Sequence, residues 1–500
     1  MNRGPIMNSK TIICVVLLIV TITGPGCISK PESPQQNITH DNSTEDIKNI
    51  EGLWLGSLKV PGGAELRILF NISTKSDGST VATMDSLDQG ASGIPVETVI
   101  YKGGKLSLEV KSVKGIFEGT VKEDGKTIEG KWKQAGSVFP LVLNHIDKAP
   151  YLRREQDPVK PYPYAEEEVV YGNKEAGVKL AGTLTLPRSE GPFPAVVLIT
   201  GSGPQNRNEE VVGHRPFLVL SDYLTRQGIA VLRIDDRGIG GSTGNFSQAT
   251  SEDFAGDVLS DVEYLKSRKE IDPNHIGLIG HSEGGLIAPI VAVNSSDVSF
   301  IVMMAGPGLT GEEILYLQSA LIARAGGANN ETIARNEALM KSMFSVVKEE
   351  QNNTIAGEKI RKLLNDEMAN MSEEEKQHLG YSEANLDAQN QVLLSPWMRF
   401  FLTYDPKPTL MKVKCPVLVI NGEKDLQVPP EENLRAIDDA LKAGGNKDYT
   451  VKEMPGLNHL FQTAKTGSPT EYTKIEETIS PAALELIGNW ISEHTQKNER

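Results

Sequence analysis

The sequence predicts a doubly wound, mostly parallel α/β sheet with a helical lid, preceded by a small antiparallel β barrel or sandwich domain. Three observations in the 500-residue chain support this fold class. Apolar and polar residues alternate between residues 50 and 147, whereas short apolar runs and helical segments take turns further on. The third observation is the pentapeptide Gly-His-Ser-Glu-Gly at 280–284, which directly follows one of the apolar runs.

Residues 50–147 are predicted to form the antiparallel β domain. Alternating runs lie at 66–72, 106–110 and 128–132, and turn sequences at 103–104 and 124–125 separate such runs as hairpins do. The domain either binds an apolar ligand or covers the catalytic domain. We favour the second role because no ligand-binding set of residues stands out.

A proline-rich linker at 148–167 leads into the second domain, which spans 168–500. Its predicted strands are a hairpin at 178–187 and buried runs at 195–199, 230–234, 276–279, 300–304 and 417–420, with helices at 217–227 and 254–267. In a sheet of this type the chemistry lies beyond the carboxyl ends of the strands. We therefore expect the functional residues in the loops that follow these runs.

The amino terminus has the features of an export signal over residues 1–27. Arg3 and Lys10 flank the start of an apolar stretch at 11–22 that is too short for a comfortable membrane span. Small residues then lead to Cys27, which resembles the lipidated cysteine of a lipoprotein signal; an uncleaved anchor helix and a plainly cleaved signal are the alternatives. Residues 28–49 are polar and proline-rich, which predicts a flexible tether. We expect the protein to be tethered to the outer face of the cytoplasmic membrane, by a lipid or an anchor, or secreted.

The charge and the cysteine content exclude some partners and some kinds of cross-link. A net charge of −15 argues against nucleic acid, which needs a basic face. Cys415 is the only cysteine expected in the folded body, so no intrachain disulfide is predicted. No metal-ligand spacing is present, and the chemistry outlined below needs no cofactor.

The Gly-x-Ser-x-Gly pattern predicts Ser282 as a nucleophile on a sharp strand-to-helix turn. The flanking glycines are required because the turn strains the backbone and brings strand and helix too close for a Cβ. His281, beside the nucleophile, is expected to be structural.

A serine hydroxyl needs a base, and His459 occupies the fitting position in a loop between a strand and the closing helix. Asp425 follows the strand at 417–420 and is predicted to orient that histidine, with Glu423 as the alternative acid. The resulting chain order Ser, Asp, His is the one expected of α/β-hydrolases.

The oxyanion of the tetrahedral intermediate needs two backbone donors. We predict the N–H of Glu283, at the start of a helix, and the N–H of Ser202 in the Gly-Ser-Gly loop after the strand at 195–199. Gly203 is an alternative second donor. A phosphate cradle is a competing interpretation of this loop, but the lysine and helix start of a P-loop are missing.

Taken together, residues from about 168 to 500 resemble the α/β-hydrolase superfamily, and especially carboxylesterases akin to the catalytic domains of prolyl-oligopeptidase-like peptidases. The matching stretches are Leu-Ile-Thr-Gly-Ser-Gly-Pro at 198–204, Asp-Asp-Arg-Gly at 235–238, the pentapeptide at 280–284, Gly-Glu-Lys-Asp at 422–425 and Asn-His at 458–459. The resemblance implies that Asp236 and Arg237 form a structural turn near the active site. Thr200 departs from the family pattern, because many relatives have histidine there.

A long, mainly helical insertion at 309–404 resembles the lid of this family. Trp397, Phe400 and Phe401 either line a substrate pocket beneath the lid or belong to the core of the lid itself.

These residues predict an exported serine carboxylesterase that acts on small-molecule esters, with short to medium acyl groups, through an acyl-enzyme. A peptidase or amidase of the prolyl-oligopeptidase-like type with the same triad is one alternative. The other is a cell-surface ligand-binding protein with a vestigial hydrolase fold.

Overall fold

The computed structural model describes residues 50–59, 65–74, 80–87, 91–134, 137–147, 154–369 and 389–495. The predicted signal, the tether and Cys27 lie outside these residues. The described residues divide into two compact units, one built on residues 50–154 together with 210–214, the other on 155–209 and 215–495. None of the described helices is long and apolar enough to cross a bilayer.

The described part of the first unit is one antiparallel sheet of nine strands in the order β4-β3-β2-β1-β9-β8-β7-β6-β5. The strands are β1 Gly52–Lys59, β2 Glu65–Thr74, β3 Thr80–Ser86, β4 Ala91–Val96, β5 Thr98–Lys102, β6 Lys105–Val110, β7 Gly115–Val121, β8 Thr127–Gln134 and β9 Ser137–Ile146. The edge strands β4 and β5 are joined by the single residue Glu97, so the sheet has to curl almost into a barrel. Trp54, Phe70 and Phe117 fill its interior, fully buried. The predicted antiparallel domain is confirmed.

The second unit contains a mixed sheet that, among the described residues, has eight strands in the order β10-β11-β13-β12-β14-β15-β16-β17. The strands are β10 Ala165–Asn173, β11 Val178–Leu186, β12 Phe193–Ile199, β13 Ala230–Ile234, β14 Ile271–His281, β15 Phe300–Met304, β16 Val417–Gly422 and β17 Tyr449–Met454. β10 and β11 form an antiparallel hairpin and β11 runs antiparallel to β13, whereas the other neighbours are parallel. The sheet confirms the predicted fold class.

Helices cover both faces of this sheet and form the insertion between β15 and β16. They are α1 Pro216–Arg226, α2 Ser251–Lys266, α3 Glu283–Asn294, α4 Gly311–Ala325, α5 Asn330–Glu349, α6 Asn353–Met368, α7 Pro396–Thr403, α8 Lys407–Leu410, α9 Pro430–Ala443 and α10 Pro481–Thr495. Apolar residues of α2, α3 and α9 pack on one face, and those of α1 and α10 pack on the other. Because both faces are covered, the central strands are continuous apolar runs, which is why the sequence reveals them so clearly.

The insertion between β15 and β16 contains α4 to α7 and has a core of its own, in which Met340, Met343 and Phe344 are fully buried. Thr310, Asn329, Asn352 and Ser395 each cap a lid helix by accepting a backbone N–H. Residues 370–388 of this insertion lie outside the described residues.

Candidate active site

Ser282 lies between the end of β14 and the first turn of α3, with φ +53° and ψ −117°. A residue with a Cβ adopts such angles only where its surroundings impose them. Here the Ser282 N–H donates to the Met304 carbonyl over 2.8 Å, and the Ser282 carbonyl accepts from the Gly285 N–H over 2.9 Å. The strand-to-helix turn predicted from the pentapeptide is present.

The two flanking glycines have no room for a side chain. A Cβ on Gly280 would lie 2.0 Å from the Gly284 carbonyl oxygen, and a Cβ on Gly284 would lie 2.2 Å from that of Ile199. Both obstacles are backbone atoms, which cannot rotate away. α3 therefore packs this closely against β14 and against the end of β12 only with glycine at these two positions.

The acid and the histidine proposed from the sequence are in contact. Nδ1 of His459, in the loop after β17, is 2.7 Å from Oδ2 of Asp425, in the loop after β16. The other oxygen of Asp425 accepts the N–H groups of Gln427 and Val428, over 2.8 and 2.9 Å, and the carboxylate is buried. With Nδ1 donating to Asp425, Nε2 is left to act as a base. The alternative acid, Glu423, instead accepts the Gly456 N–H at 2.7 Å on the surface.

Asp236 holds the loop after β12 in place through two hydrogen bonds. One Asp236 oxygen accepts the Thr200 hydroxyl over 2.7 Å, and the other accepts the Gln205 N–H over 2.8 Å. Burial raises the pKa of Asp236 well above its ordinary value, against the effect of these hydrogen bonds. Thr200 thus anchors the loop that contains Ser202.

The loop also lies against the nucleophile. A Cβ added to Gly201 would be 3.2 Å from the Cβ of Ser282, so Ser202, the predicted oxyanion donor, is one residue away from this contact. Arg237 donates to Asp257 through Nε and Nη2, over 2.7 and 2.9 Å. This ion pair fits the structural role expected for Arg237 in the turn at 235–238.

Glu283 follows the nucleophile, and its carboxyl group is buried. It accepts the Ser251 hydroxyl over 2.6 Å and the indole N–H of Trp397 over 2.7 Å. Burial raises the pKa of Glu283, while hydrogen bonds from Ser251, Trp397 and the Ser202 side chain lower it in part. A residue of the lid, Trp397, therefore contacts the side chain of Glu283, one of the two predicted oxyanion residues.

The three predicted pocket residues differ in their surroundings. Trp397 reaches the turn at Ser282 through Glu283 and stacks on Phe401 with ring centroids 5.1 Å apart. Phe401 is buried in the core of the lid, and Phe400 stacks on Tyr404 at 4.9 Å. Trp397 is therefore the one of the three that the structure joins to the nucleophile turn.

Sequence reasoning missed Glu209, a buried acid in the loop between β12 and α1. Its Oε1 lies 2.8 Å from Nδ1 of His281 and 2.7 Å from the Gly201 nitrogen. No spacing rule identifies such a residue, although its position just after the oxyanion loop is a usable signal. The described residues contain no group of three or more His, Cys, Asp or Glu side chains arranged to hold a metal ion.

Comparison with known proteins places the chain in a family. Residues 176–448, more than half of the chain, match the family described as X-Pro dipeptidyl-peptidase (S15 family). The chain belongs to the S15 family. The predicted membership of the α/β-hydrolase superfamily is confirmed, and the chain is a serine hydrolase.

Similar proteins include the esterase EstD of Thermotoga maritima, which is 25% identical over 359 residues that cover 71% of this S15 chain and 74% of EstD. Among solved structures, the esterase Pf2001 of Pyrococcus furiosus superposes with a TM-score of 0.40 and 16% identity, covering 66% of this chain and 90% of that one. The α/β hydrolase GrgF from Penicillium sp. sh18 superposes with a TM-score of 0.41 and 15% identity, covering 66% and 99%.

We predict that Gly280→Ala lowers the free energy of unfolding by about 3 kcal/mol or more, because the added methyl group meets a backbone carbonyl. Gly256→Ala, in α2, is the matched control. Its nearest neighbour for a new Cβ is the Asn173 side chain at 3.8 Å, so we expect it to be neutral or to stabilise the helix by up to about 1 kcal/mol. Urea denaturation measures both, and equal stability of the two variants would contradict the crossing described here.

We predict that Trp397→Phe lowers the free energy of unfolding by about 1 to 2 kcal/mol, because the buried Glu283 carboxyl loses a donor. Combining it with Glu283→Met in a double-mutant cycle isolates the pair, and we expect a coupling of about 1 kcal/mol. Strictly additive single effects would show that the indole N–H and the carboxyl do not interact.

Proposed function

We propose that this serine hydrolase is an exported carboxylesterase that uses Ser282, His459 and Asp425 as its catalytic triad. The observation that supports this most strongly is the 2.7 Å contact between the buried Asp425 and Nδ1 of His459, at the same edge of the sheet as the strained turn at Ser282. A buried carboxylate fixes the histidine tautomer and stabilises the imidazolium that forms during the reaction.

The reaction follows from these positions. The Ser282 Oγ attacks the ester carbonyl carbon while Nε2 of His459 takes its proton, and the N–H groups of Glu283 and Ser202 stabilise the oxyanion. Collapse of the intermediate breaks the ester C–O bond, and His459 gives its proton to the departing alcohol. Water, deprotonated by His459, then releases the acid and restores Ser282.

The preference for esters is supported by the similarity to EstD, which is named an esterase. Short to medium acyl groups are part of the proposal, which a chain-length series of esters tests. Peptidase activity is the second candidate, because the family is described by an X-Pro dipeptidyl-peptidase. Both candidates use the same triad and differ in the leaving group, which is an alkoxide in one case and an amine in the other.

The proposed location rests on residues 1–27 of the sequence. The positive residues Arg3 and Lys10, the apolar stretch at 11–22 and the small residues before Cys27 support export. We propose that Cys27 is lipidated and that residues 28–49 connect it to the folded units. Mass spectrometry of the protein purified from its own cells, after proteolysis, would detect a diacylglyceryl group on Cys27. An unmodified amino terminus beyond Cys27 would contradict lipidation.

We predict hydrolysis of p-nitrophenyl acetate and butyrate, with kcat/KM at least about 100-fold above that for the matched p-nitroanilides. Ser282→Ala should abolish it, and Asp425→Asn should lower kcat by about 10⁴-fold, as expected when the orienting acid becomes an amide. Glu423→Gln is the matched control and should retain activity, because its amide oxygen still accepts the Gly456 N–H.

Faster cleavage of the anilides, or of X-Pro anilides, would favour the peptidase. Undiminished activity in Ser282→Ala would contradict the triad, and the absence of any turnover would favour a ligand-binding role.

A further inference from the structure

A second histidine–carboxylate pair lies beside the proposed triad. Nδ1 of His281 is 2.8 Å from Oε1 of Glu209, and the two residues are 6% and 2% exposed. His281 immediately precedes the nucleophile, and Glu209 follows the oxyanion loop by a few residues. The reaction proposed above uses neither side chain.

This pair makes two further hydrogen bonds, both to the backbone of the active site. Nε2 of His281 is 2.9 Å from the carbonyl oxygen of His459, and Oε1 of Glu209 is 2.7 Å from the N–H of Gly201. The pair thus joins three segments: the oxyanion loop after β12, the turn after β14 and the histidine loop after β17.

With Glu209 ionised, the hydrogen bonds of His281 favour a doubly protonated ring. The His459 carbonyl only accepts, so Nε2 must donate a proton. Oε1 of an ionised Glu209 accepts both from the Gly201 N–H and from Nδ1, so Nδ1 must donate as well. An imidazolium beside a carboxylate therefore satisfies every group.

The charges around the ring agree with this assignment. Burial by itself would lower the pKa of His281, but the charge and hydrogen bond of Glu209 outweigh it, so that the pKa is raised. The His459 carbonyl and the charge of Asp425 act in the same direction. The ring of His459, with its centroid 4.9 Å away, also faces His281.

The backbone at Glu209 is strained, with φ +50°, a conformation that residues with a Cβ rarely adopt. Gly201 also lies close to both Glu209 and Ser282. A Cβ there would lie 3.2 Å from the Glu209 carboxylate and 3.2 Å from the Cβ of Ser282. Both features show that the surrounding structure holds the carboxylate against the loop.

We propose that Glu209 and His281 form an imidazolium–carboxylate pair that positions the oxyanion loop and the backbone of His459 relative to Ser282, without touching the substrate. This inference rests on the proposed function, because it assigns the pair to the same reaction. The Gly201 N–H is committed to Glu209, so the oxyanion donors come from the residues that follow it in the loop.

Glutamine cannot replace Glu209 in this arrangement. If its amide oxygen faces Gly201, Nδ1 of His281 must donate to the same oxygen; a buried imidazolium without a counter-charge loses a proton, and the ring then has no donor left for the His459 carbonyl. If the NH₂ group faces His281, it also meets the Gly201 N–H, donor against donor. One of the two backbone anchors is lost in either case.

The first test compares Glu209→Gln with Asp261→Asn in the full-length chain. Asp261 is also a buried carboxyl, but it accepts the Tyr171 hydroxyl between α2 and β10, an interaction that an amide oxygen preserves. We expect Glu209→Gln to lower kcat for p-nitrophenyl butyrate by about 10- to 100-fold, with KM changed less than about twofold, because a displaced donor costs mainly transition-state stabilisation. Asp261→Asn should leave both constants unchanged. Equal kcat in the two variants, with both folded by circular dichroism, would overturn the positioning role.

The second test does not depend on enzymatic activity. It measures the protonation of the His281 ring from the nitrogen chemical shifts of ¹⁵N-histidine-labelled protein, and the variant His281→Gln identifies the His281 signals. We expect a doubly protonated His281 at neutral pH in the wild type and a neutral ring in Glu209→Gln. Because the pKa of His281 is raised in the folded state, the stability that the pair provides should be complete below pH of about 6.5 and should be lost as pH rises through the raised value. A neutral His281 at pH 6.5 in the wild type would overturn the assignment.

The two tests separate this inference from the proposed function. If the wild type shows no Ser282-dependent ester hydrolysis, the proposed function fails, and the nitrogen shifts still decide whether the ion pair exists. If hydrolysis depends on Ser282 but is insensitive to Glu209→Gln, only the positioning role fails.

Discussion

The left-handed backbone at Ser282 is the constraint on which the active site depends. A residue other than glycine in this region costs about 1 to 3 kcal/mol, so the surroundings must enforce it. They do so through the hydrogen bond from Ser282 to Met304 and through the glycine crossing of β14 and α3. Since β14 lies between β12 and β15, the turn is in the middle of the sheet, where loops from neighbouring strands reach it.

Two histidine–carboxylate pairs then tie those loops together. Asp425 and His459 join the loops after β16 and β17, while Glu209 and His281 join the loop after β12 to the turn itself and to the His459 backbone. From the lid, Trp397 reaches the same centre through Glu283. Buried hydrogen bonds thus hold the active-site loops in place. They restrict the motion of these loops, in a site where a displacement of about an ångström lowers the rate of catalysis.

The fold could be predicted from the sequence because the strands at 230–234 and 300–304 are buried on both faces, and their apolar runs match the observed strands. The contact of Asp425 with His459 was also predictable, from strand ends and chain order. Glu209 was not, since its role depends on a long-range hydrogen bond to His281, 72 positions away, that no local pattern records. Whether Trp397 and Phe401 line a pocket or belong to the lid core depends on which face of α7 packs against that core. The apolar pattern of an eight-residue helix does not specify which neighbour its apolar face meets.

The central claim is that Ser282 is a nucleophile activated by His459. The most direct measurement is reaction of the full-length protein with a fluorophosphonate, followed by intact mass and peptide mapping. The account predicts a single adduct, located on Ser282, whose rate of formation falls by orders of magnitude in His459→Ala while the protein remains folded. An adduct on another residue, or labelling of Ser282 at an undiminished rate without His459, would contradict it.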